Sequence, residues 1–351
     1  MAPIARPRRR RTTRIAFVPV LALALLTVAT SCGRPSPTES AHPATTVAIP
    51  AARGCLPAGE SSASTAGPYA VGRAEVTFVD ATRPTEAKPD RHLESRPDRA
   101  LPTVILYPAS TGDPTGPATA GAPPADGAFP LIIASHGVTS TGAAMAALVE
   151  PWVRAGYIVA APSFPLGSGP GANISDLPNQ PGDVNFVVAS MRKLADDPAQ
   201  ALGGHLAPDC LALAGHSLGA ATTLEATFES TYRVTSVQAA IAMSGVLAPI
   251  PGGSFADPPA VPLLLVHGAK DPVVSISGSQ TAFARLPGPN YFVTFPDADH
   301  NSIFAPPNKA LLDQAAIAFL DAELKGGPPA SDQLSALLAR YDIASLQTKE
   351  S

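Results

Sequence analysis

The residues with the clearest chemical potential lie at Gly215-His216-Ser217-Leu218-Gly219, which follows the apolar run Leu211 to Ala214 and precedes small residues from Ala220 to Thr223. A strand feeding a helix through such a turn is the setting of a nucleophile elbow, where backbone strain exposes a serine hydroxyl and flanking glycines make room for it. A hydroxyl is a poor nucleophile until a base takes its proton, so Ser217 needs a histidine, and the histidine needs an acid. The chain supplies both in the order Ser, acid, His. Asp271 lies in His267-Gly268-Ala269-Lys270-Asp271-Pro272-Val273, 54 residues after Ser217, and His300 lies 29 further on, in Asp297-Ala298-Asp299-His300-Asn301. Each interval fits one strand-helix unit. Asp257 and Asp299 are the alternatives to Asp271.

Attack by a serine builds negative charge on a carbonyl oxygen, which requires backbone N–H donors. The N–H of Leu218, the residue after the nucleophile, is one candidate; Val138, in Ser135-His136-Gly137-Val138, is the second, with Gly137 allowing close approach. The other histidines have duller expected roles. His216 is too near Ser217 in the chain to reach its hydroxyl, His136 and His267 brace turns at strand ends, and His42, His92 and His205 sit in polar loops. None is spaced with cysteine or carboxylate as a ligand set, so neither metal nor cofactor is expected.

The elements that must position these groups alternate short apolar runs with helix-length segments, the pattern of a mostly parallel sheet flanked by helices. Strands are predicted at 73–80, 103–107, 131–134, 157–161, 211–214, 237–242, 263–266 and 291–295, making eight. Helices are predicted at 142–155, 183–196, 276–286, 308–324 and 332–346, and 108–130 is predicted to be a surface loop. In 183–196 the apolar positions Val184, Val187, Val188 and Met191 recur every three or four residues, so one face packs on the sheet. Parallel strands present their carboxyl ends together, which brings the loops of Ser217, Asp271 and His300 to one edge.

With these motifs in hand, the chain resembles the α/β-hydrolases, and within them the dienelactone hydrolase-like, cutinase-like and platelet-activating-factor acetylhydrolase-like esterases. The resemblance rests on Ser135 to Val138, Ala155 to Pro162 (AGYIVAAP), Gly182 to Val187 (GDVNFV), Gly215 to Gly219, His267 to Val273 and Ala298 to Asn301; Gly67 to Gly72 (GPYAVG) also looks like secreted members. It covers about 67–325. It implies Ser217, Asp271 and His300 as a catalytic triad, Val138 and Leu218 as oxyanion donors, and a short- to medium-chain acyl ester or lipid ester as substrate. Dienelactone hydrolases proper use Cys where this chain has Ser217, so lactone chemistry is not implied. The loop after Gly137 also lacks the aromatic residue that many polyester-cleaving members carry.

A helical cap in this fold usually enters between the sixth and seventh strands, but only 243–262 fill that gap, so a minimal cap is expected. The loops 162–182 and 244–260 would then wall the site, with Phe164, Leu166, Leu247, Ile250 and Phe255 as an apolar acyl pocket. Two other readings remain open at this stage: an acyltransferase using the same three residues, and a non-catalytic surface lipoprotein that binds a ligand.

Composition bounds the whole. The chain has 351 residues with 40 Pro and 28 Gly, 45% apolar and 15% charged residues. That apolar share excludes a disordered or collagenous chain. Six Arg and no acid precede residue 15, followed by the uncharged run 15–28 and Ala29-Thr30-Ser31-Cys32. Fourteen apolar residues are too few for a ~30 Å hydrocarbon core, so 1–31 reads as a signal peptide. The segment resembles a bacterial lipoprotein signal with Cys32 lipidated, against an ordinary cleavage site of small residues. Residues 32–66 then form a Pro/Ser/Thr-rich tether to a membrane surface and 67–351 the hydrolase domain.

Setting Cys32 aside leaves Cys55 and Cys210 as a possible disulfide suited to an oxidising compartment. Without the six signal arginines, the 24 basic and 28 acidic residues become 18 and 28, a net charge of −10. A nucleic-acid groove is therefore not expected. The expected protein is an exported monomer, membrane-anchored or secreted.

Overall fold

The structure is a computed structural model that describes residues 55–56, 68–91 and 93–350. The signal peptide, Cys32, nearly all of the tether, His42 and His92 lie outside the described residues. The strands are β1 (Ala70–Asp80), β2 (Arg99–Ala109), β3 (Thr119–Ala120), β4 (Phe129–Ser135), β5 (Ile158–Pro162), β6 (Leu206–His216), β7 (Val237–Met243), β8 (Leu263–Gly268), β9 (Asn290–Phe295) and β10 (Ser345–Lys349). The helices are α1 (Gly142–Arg154), α2 (Gln180–Asp196), α3 (Leu218–Phe228), α4 (Ser277–Arg285), α5 (Asn308–Leu324) and α6 (Ala330–Leu338).

All ten strands join one sheet in the spatial order β10, β9, β8, β7, β6, β4, β5, β2, β1, β3. From β9 through β5 neighbouring strands run parallel; β2 is antiparallel to β5 and to β1, and β10 is antiparallel to β9. The central strands are continuous apolar runs because helices cover both faces. Period-two alternation divides each of them. In β4, Ile132 and Ala134 face the core made with α1, α5 and α6, while Leu131 and Ile133 face the core made with α2, α3 and α4.

The chain leaves β4 for β5 on one side and then returns to add β6 on the other. A crevice opens outside the carboxyl ends at such a reversal, which is where ligand sites in open α/β sheets form. The elbow sits at this place.

The eight expected strands are present, but two more extend the sheet. β3 is a two-residue pairing of Thr119 and Ala120 with Gly72 and Arg73, drawn from the expected surface loop 108–130. That loop is also more enclosed than expected: β2 continues to Ala109, Ala122 and Ala125 are buried, and the Tyr107 hydroxyl donates to Ala122 O (2.8 Å). β10 replaces the end of the expected helix 332–346. Helix α6 stops at Leu338, and Ser345–Lys349 pairs with the otherwise open edge of β9. The segment is largely solvent-facing and carries no strand pattern; unpaired β9 backbone, not side-chain propensity, recruits it.

Cys55 and Cys210 are joined by a disulfide, with a Cα–Cα distance of 5.3 Å. Cys210 lies in the amino-terminal half of β6, and the Cys55 N–H donates to Leu324 O (3.1 Å) at the end of α5.

Candidate active site

Ser217 occupies the single residue between β6 and α3, with φ 56° and ψ −119°. Its N–H donates to Met243 O (2.9 Å) at the end of β7, which fixes the turn against the neighbouring strand. A positive φ at a non-glycine residue is strained and persists only where the surroundings hold it. Here glycine on either side permits it. A Cβ at Gly215 would lie 2.0 Å from Gly219 O, and one at Gly219 would lie 2.1 Å from Ser135 O. Leu218 opens α3, so its N–H belongs to the first turn, where helix donors have no partner within the helix and the helix dipole favours negative charge.

The candidate acid and base are in direct contact. His300 Nδ1–H donates to Asp271 Oδ2 (2.7 Å), and the Asp271 side chain is wholly buried. The other carboxylate oxygen, Oδ1, accepts from the amides of Val273 (2.8 Å) and Val274 (2.9 Å). Burial alone would raise the Asp271 pKa, but the hydrogen bonds from His300, Val274 and Val273 outweigh it and hold the carboxyl below its usual range. Asp271 is therefore ionised at neutral pH. Asp299 instead turns its carboxylate to the amides of Asn301 (3.0 Å) and Ser302 (2.8 Å), capping the next turn, and Asp257 contacts Arg233 only through its carbonyl (3.4 Å).

His216 connects the elbow to the base. Its Nε2–H donates to His300 O (3.1 Å), and the two rings stack obliquely with centroids 4.7 Å apart. Burial, and then the charge of neighbouring His300, push the His216 pKa down to about 4, so it is a neutral spacer. Among the described residues, no hydrogen bond joins the Ser217 hydroxyl itself to His300. Such bonds are often long in unliganded sites and tighten around substrate.

The loop carrying Val138 is held from both sides. His136 Nδ1–H donates to Gly137 O (2.8 Å), while its Nε2 accepts from Phe164 N–H (3.2 Å) and the Ser168 hydroxyl (2.8 Å). A trans peptide points its N–H opposite to its carbonyl, so the bond to Gly137 O turns the Val138 N–H away from His136. Gly137 lies against the nucleophile: a Cβ there would be 3.2 Å from Ser217 Cβ. Thr139 N–H donates to Gly167 O (3.0 Å), tying this loop to the one after β5.

Several supporting residues, Asp183 of the Gly182–Val187 segment apart, carry no motif in the sequence. Asp176 Oδ2 accepts from Leu166 N–H (3.0 Å), and the buried Arg99 bridges Asp176 (3.1 Å) and Asp183. Glu225, in α3, accepts from Ala248 N–H (3.2 Å); burial, reinforced by Glu229, pushes its pKa up to about 8 and keeps it protonated at neutral pH. Glu229 accepts from the amides of Thr231 (2.8 Å), Tyr232 (2.8 Å) and Ser254. These two carboxyls pin the 244–260 loop to α3. A lone charge within an otherwise uncharged helix is the sequence signal that could have found Glu225.

The expected acyl pocket is corrected by the packing. Phe164, Leu166, Leu247, Ile250 and Phe255 are all buried; Phe164, Leu247 and Phe255 belong to the core under α2 and α3. Large apolar side chains there fill the interior, where both loops fold back onto the core. The apolar groups exposed on loops at this sheet edge are Ile174 (68%), Val246 (37%) and Val273 (68%).

No protein-family model matches the chain, and no curated protein matches it. Among solved structures, a ferulic acid esterase from Streptomyces cinnamoneus is similar with a TM-score of 0.58, at 20% identity over 81% of this chain and 98% of that one. The fold is the α/β-hydrolase fold. In it, Ser217, Asp271 and His300 fall on the loops after β6, β8 and β9, with Val138 after β4.

The α/β-hydrolase elbow gives a direct test of its packing. Replacing Gly219 by Ala is expected to destabilise the protein by about 1–3 kcal/mol, because the new methyl meets backbone carbonyls that cannot rotate away. A urea-unfolding midpoint equal to that of the parent would show that the elbow is looser than its geometry.

Proposed function

We propose that this chain is a serine hydrolase that cleaves carboxylic esters through an acyl-enzyme on Ser217. The observation that carries the reading is the Asp271–His300 hydrogen bond of 2.7 Å beside a serine held at φ 56°. His300 takes the proton of Ser217 as Oγ attacks the ester carbonyl. The N–H groups of Leu218 and Val138 bind the oxyanion. The imidazolium then protonates the departing alcohol, and water, activated by the same ring, releases the acid. Ionised Asp271 holds the His300 tautomer with Nδ1 protonated and steadies the imidazolium.

The substrate in this reading is a short- to medium-chain acyl ester or a lipid ester, with the exposed Ile174, Val246 and Val273 as candidate apolar contacts. The branch is that of the dienelactone hydrolase-like, cutinase-like and platelet-activating-factor acetylhydrolase-like esterases. A fold likeness to a ferulic acid esterase is consistent with ester chemistry.

The protein is exported as a monomer, with residues 1–31 as signal, Cys32 as lipid anchor and 32–66 as tether to the outer face of a membrane. The Cys55–Cys210 disulfide supports an oxidising compartment. An activated phosphonate is expected to label Ser217 stoichiometrically, and p-nitrophenyl esters of short to medium chain to turn over alongside it. Absence of labelling in folded protein would sink the reading; transfer to an added alcohol in preference to water would redirect it to an acyltransferase.

A further inference from the structure

His267 stands at the end of β8, wholly buried, four residues before Asp271. Its Nε2 lies 2.9 Å from Val274 O and 3.2 Å from Asp271 Oδ2. A carbonyl and an ionised carboxylate can only accept, so this nitrogen must carry the proton. Nδ1 lies 2.7 Å from Ser279 Oγ, in α4; with Nε2 protonated it accepts from that hydroxyl, whose hydrogen also faces Gly245 O at 3.2 Å. Burial holds the imidazole pKa below its ordinary value, which favours one neutral tautomer.

We propose that His267 is a positioning residue for Asp271, and that its Nε2–H and the Nδ1–H of His300 converge on the same carboxylate oxygen. The inference rests on Asp271 and His300 acting as proposed above. With it, both carboxylate oxygens are engaged: Oδ1 by two amides, and Oδ2 by the His300 N–H at 2.7 Å and, at 3.2 Å, by the His267 N–H that it shares with Val274 O. The acid cannot swing away from His300, because its plane is fixed from both ends.

The second imidazole also has an electrostatic consequence. Each donor stabilises the carboxylate and makes it a weaker base, so a carboxylate shared by two rings stabilises the His300 imidazolium less than one shared with His300 alone. The charged and titratable groups facing His300 are Asp271, His216 and the neighbouring Asp299, with His267 behind Asp271. Toward His267, the strand and loop supply Asp271 and His300, and α4 supplies only the uncharged Ser279. Lys270 is engaged at the surface with Asp297 (2.6 Å). Removing the His267 donor should therefore raise the proton affinity of His300.

The test is an NMR titration of histidine-labelled protein in a Ser217→Ala background, which needs no turnover. In that protein the His267 ring is expected to remain in the Nε2–H tautomer across neutral pH. Adding His267→Leu should move the His300 titration midpoint upward by about half a unit. Adding His267→Gln, whose amide N–H can occupy the Nε2 position, should return it to within about 0.2 unit of the parent. With Ser217 restored, His267→Leu should lower kcat by roughly tenfold or more while KM stays within about threefold, and His267→Gln should recover most of the loss.

An Nδ1–H tautomer at His267 would overturn the proposal without any substitution that might impair folding. So would coincident His300 midpoints in the Leu variant and its parent. If turnover is absent altogether while the midpoint moves as expected, the ester hydrolase reading fails and the role of His267 on Asp271 stands.

Discussion

Replacing Ser217 by Ala is expected to lower kcat on a p-nitrophenyl ester by a factor on the order of 10⁴ to 10⁶. The size follows from what remains. The variant keeps the Asp271–His300 pair and the N–H donors at Leu218 and Val138, so oxyanion binding still accelerates attack by water. What it loses is the covalent route, in which His300 activates a fixed hydroxyl. Stability should change little. The Ser217 hydroxyl forms no hydrogen bond to His300 in the structure, and the backbone bond from Ser217 N–H to Met243 O does not involve the side chain. A melting temperature near the parent's, with loss of turnover and of phosphonate labelling, is the expected pair of results. Turnover retained within tenfold would remove Ser217 from the mechanism.

The strand pattern, and with it the loops that carry the candidate site, was legible in the sequence. Ser217, Asp271 and His300 each stand just beyond an apolar strand, and carboxyl-end loops of parallel strands gather at one edge, so order and spacing were enough to group them. The groups that fix them were not legible, because each acts across a long stretch of chain. Arg99 meets Asp183 over 84 residues, and the side chain of Glu225 caps a loop amide 23 residues later. β10 was misread for a related reason: its pairing is supplied by β9, and its own residues carry no alternating pattern. The five supposed pocket residues were correctly apolar and wrongly placed. Composition says that a side chain seeks an apolar environment but not whether the core or a ligand provides it.

The histidines show how much of the site is fixed in place. Four of the five histidines among the described residues lie at it, and three of those four, His136, His216 and His267, have pKa values below the ordinary imidazole range because they are buried. Each braces a different loop: His136 the Val138 loop, His216 the backbone of His300, and His267 the carboxylate of Asp271. A neutral imidazole suits this work, since one nitrogen donates and the other accepts in a fixed geometry. Preorganisation of this kind spares the reaction the cost of ordering donors as charge develops.

The Val138 loop depends in turn on a buried ion cluster, and the second large effect is expected there. Replacing Arg99 by Leu should destabilise the protein by about 3–5 kcal/mol near pH 8. Arg99, Asp176 and Asp183 have wholly buried side chains, and Arg99 reaches Asp183 Oδ1 at 2.7 Å and Oδ2 at 2.5 Å, and Asp176 at 3.1 Å. Burial alone would lower the Arg99 pKa, but the hydrogen bonds and charges of Asp183 and Asp176 outweigh it and raise it. Without the guanidinium, Arg83 still contacts Asp183 (2.8 Å), but Asp176 keeps no cationic partner among its hydrogen bonds. The cost of an unpaired buried carboxylate falls when it is protonated. Burial already holds the Asp183 carboxyl above its ordinary range against the pull of Arg99, and losing the guanidinium raises it further, so stability is present below the unfolded pKa and lost as pH rises through the folded one. The deficit relative to the parent should thus be smaller at pH 5 than at pH 8 in urea unfolding. Catalysis should suffer in parallel: Asp176 holds Leu166, the segment around Leu166 holds His136 through Phe164 and Ser168, and His136 orients the peptide of Val138. A deficit under about 1 kcal/mol at pH 8, or one that does not shrink toward pH 5, would mean that the cluster is less buried and less coupled than its distances imply.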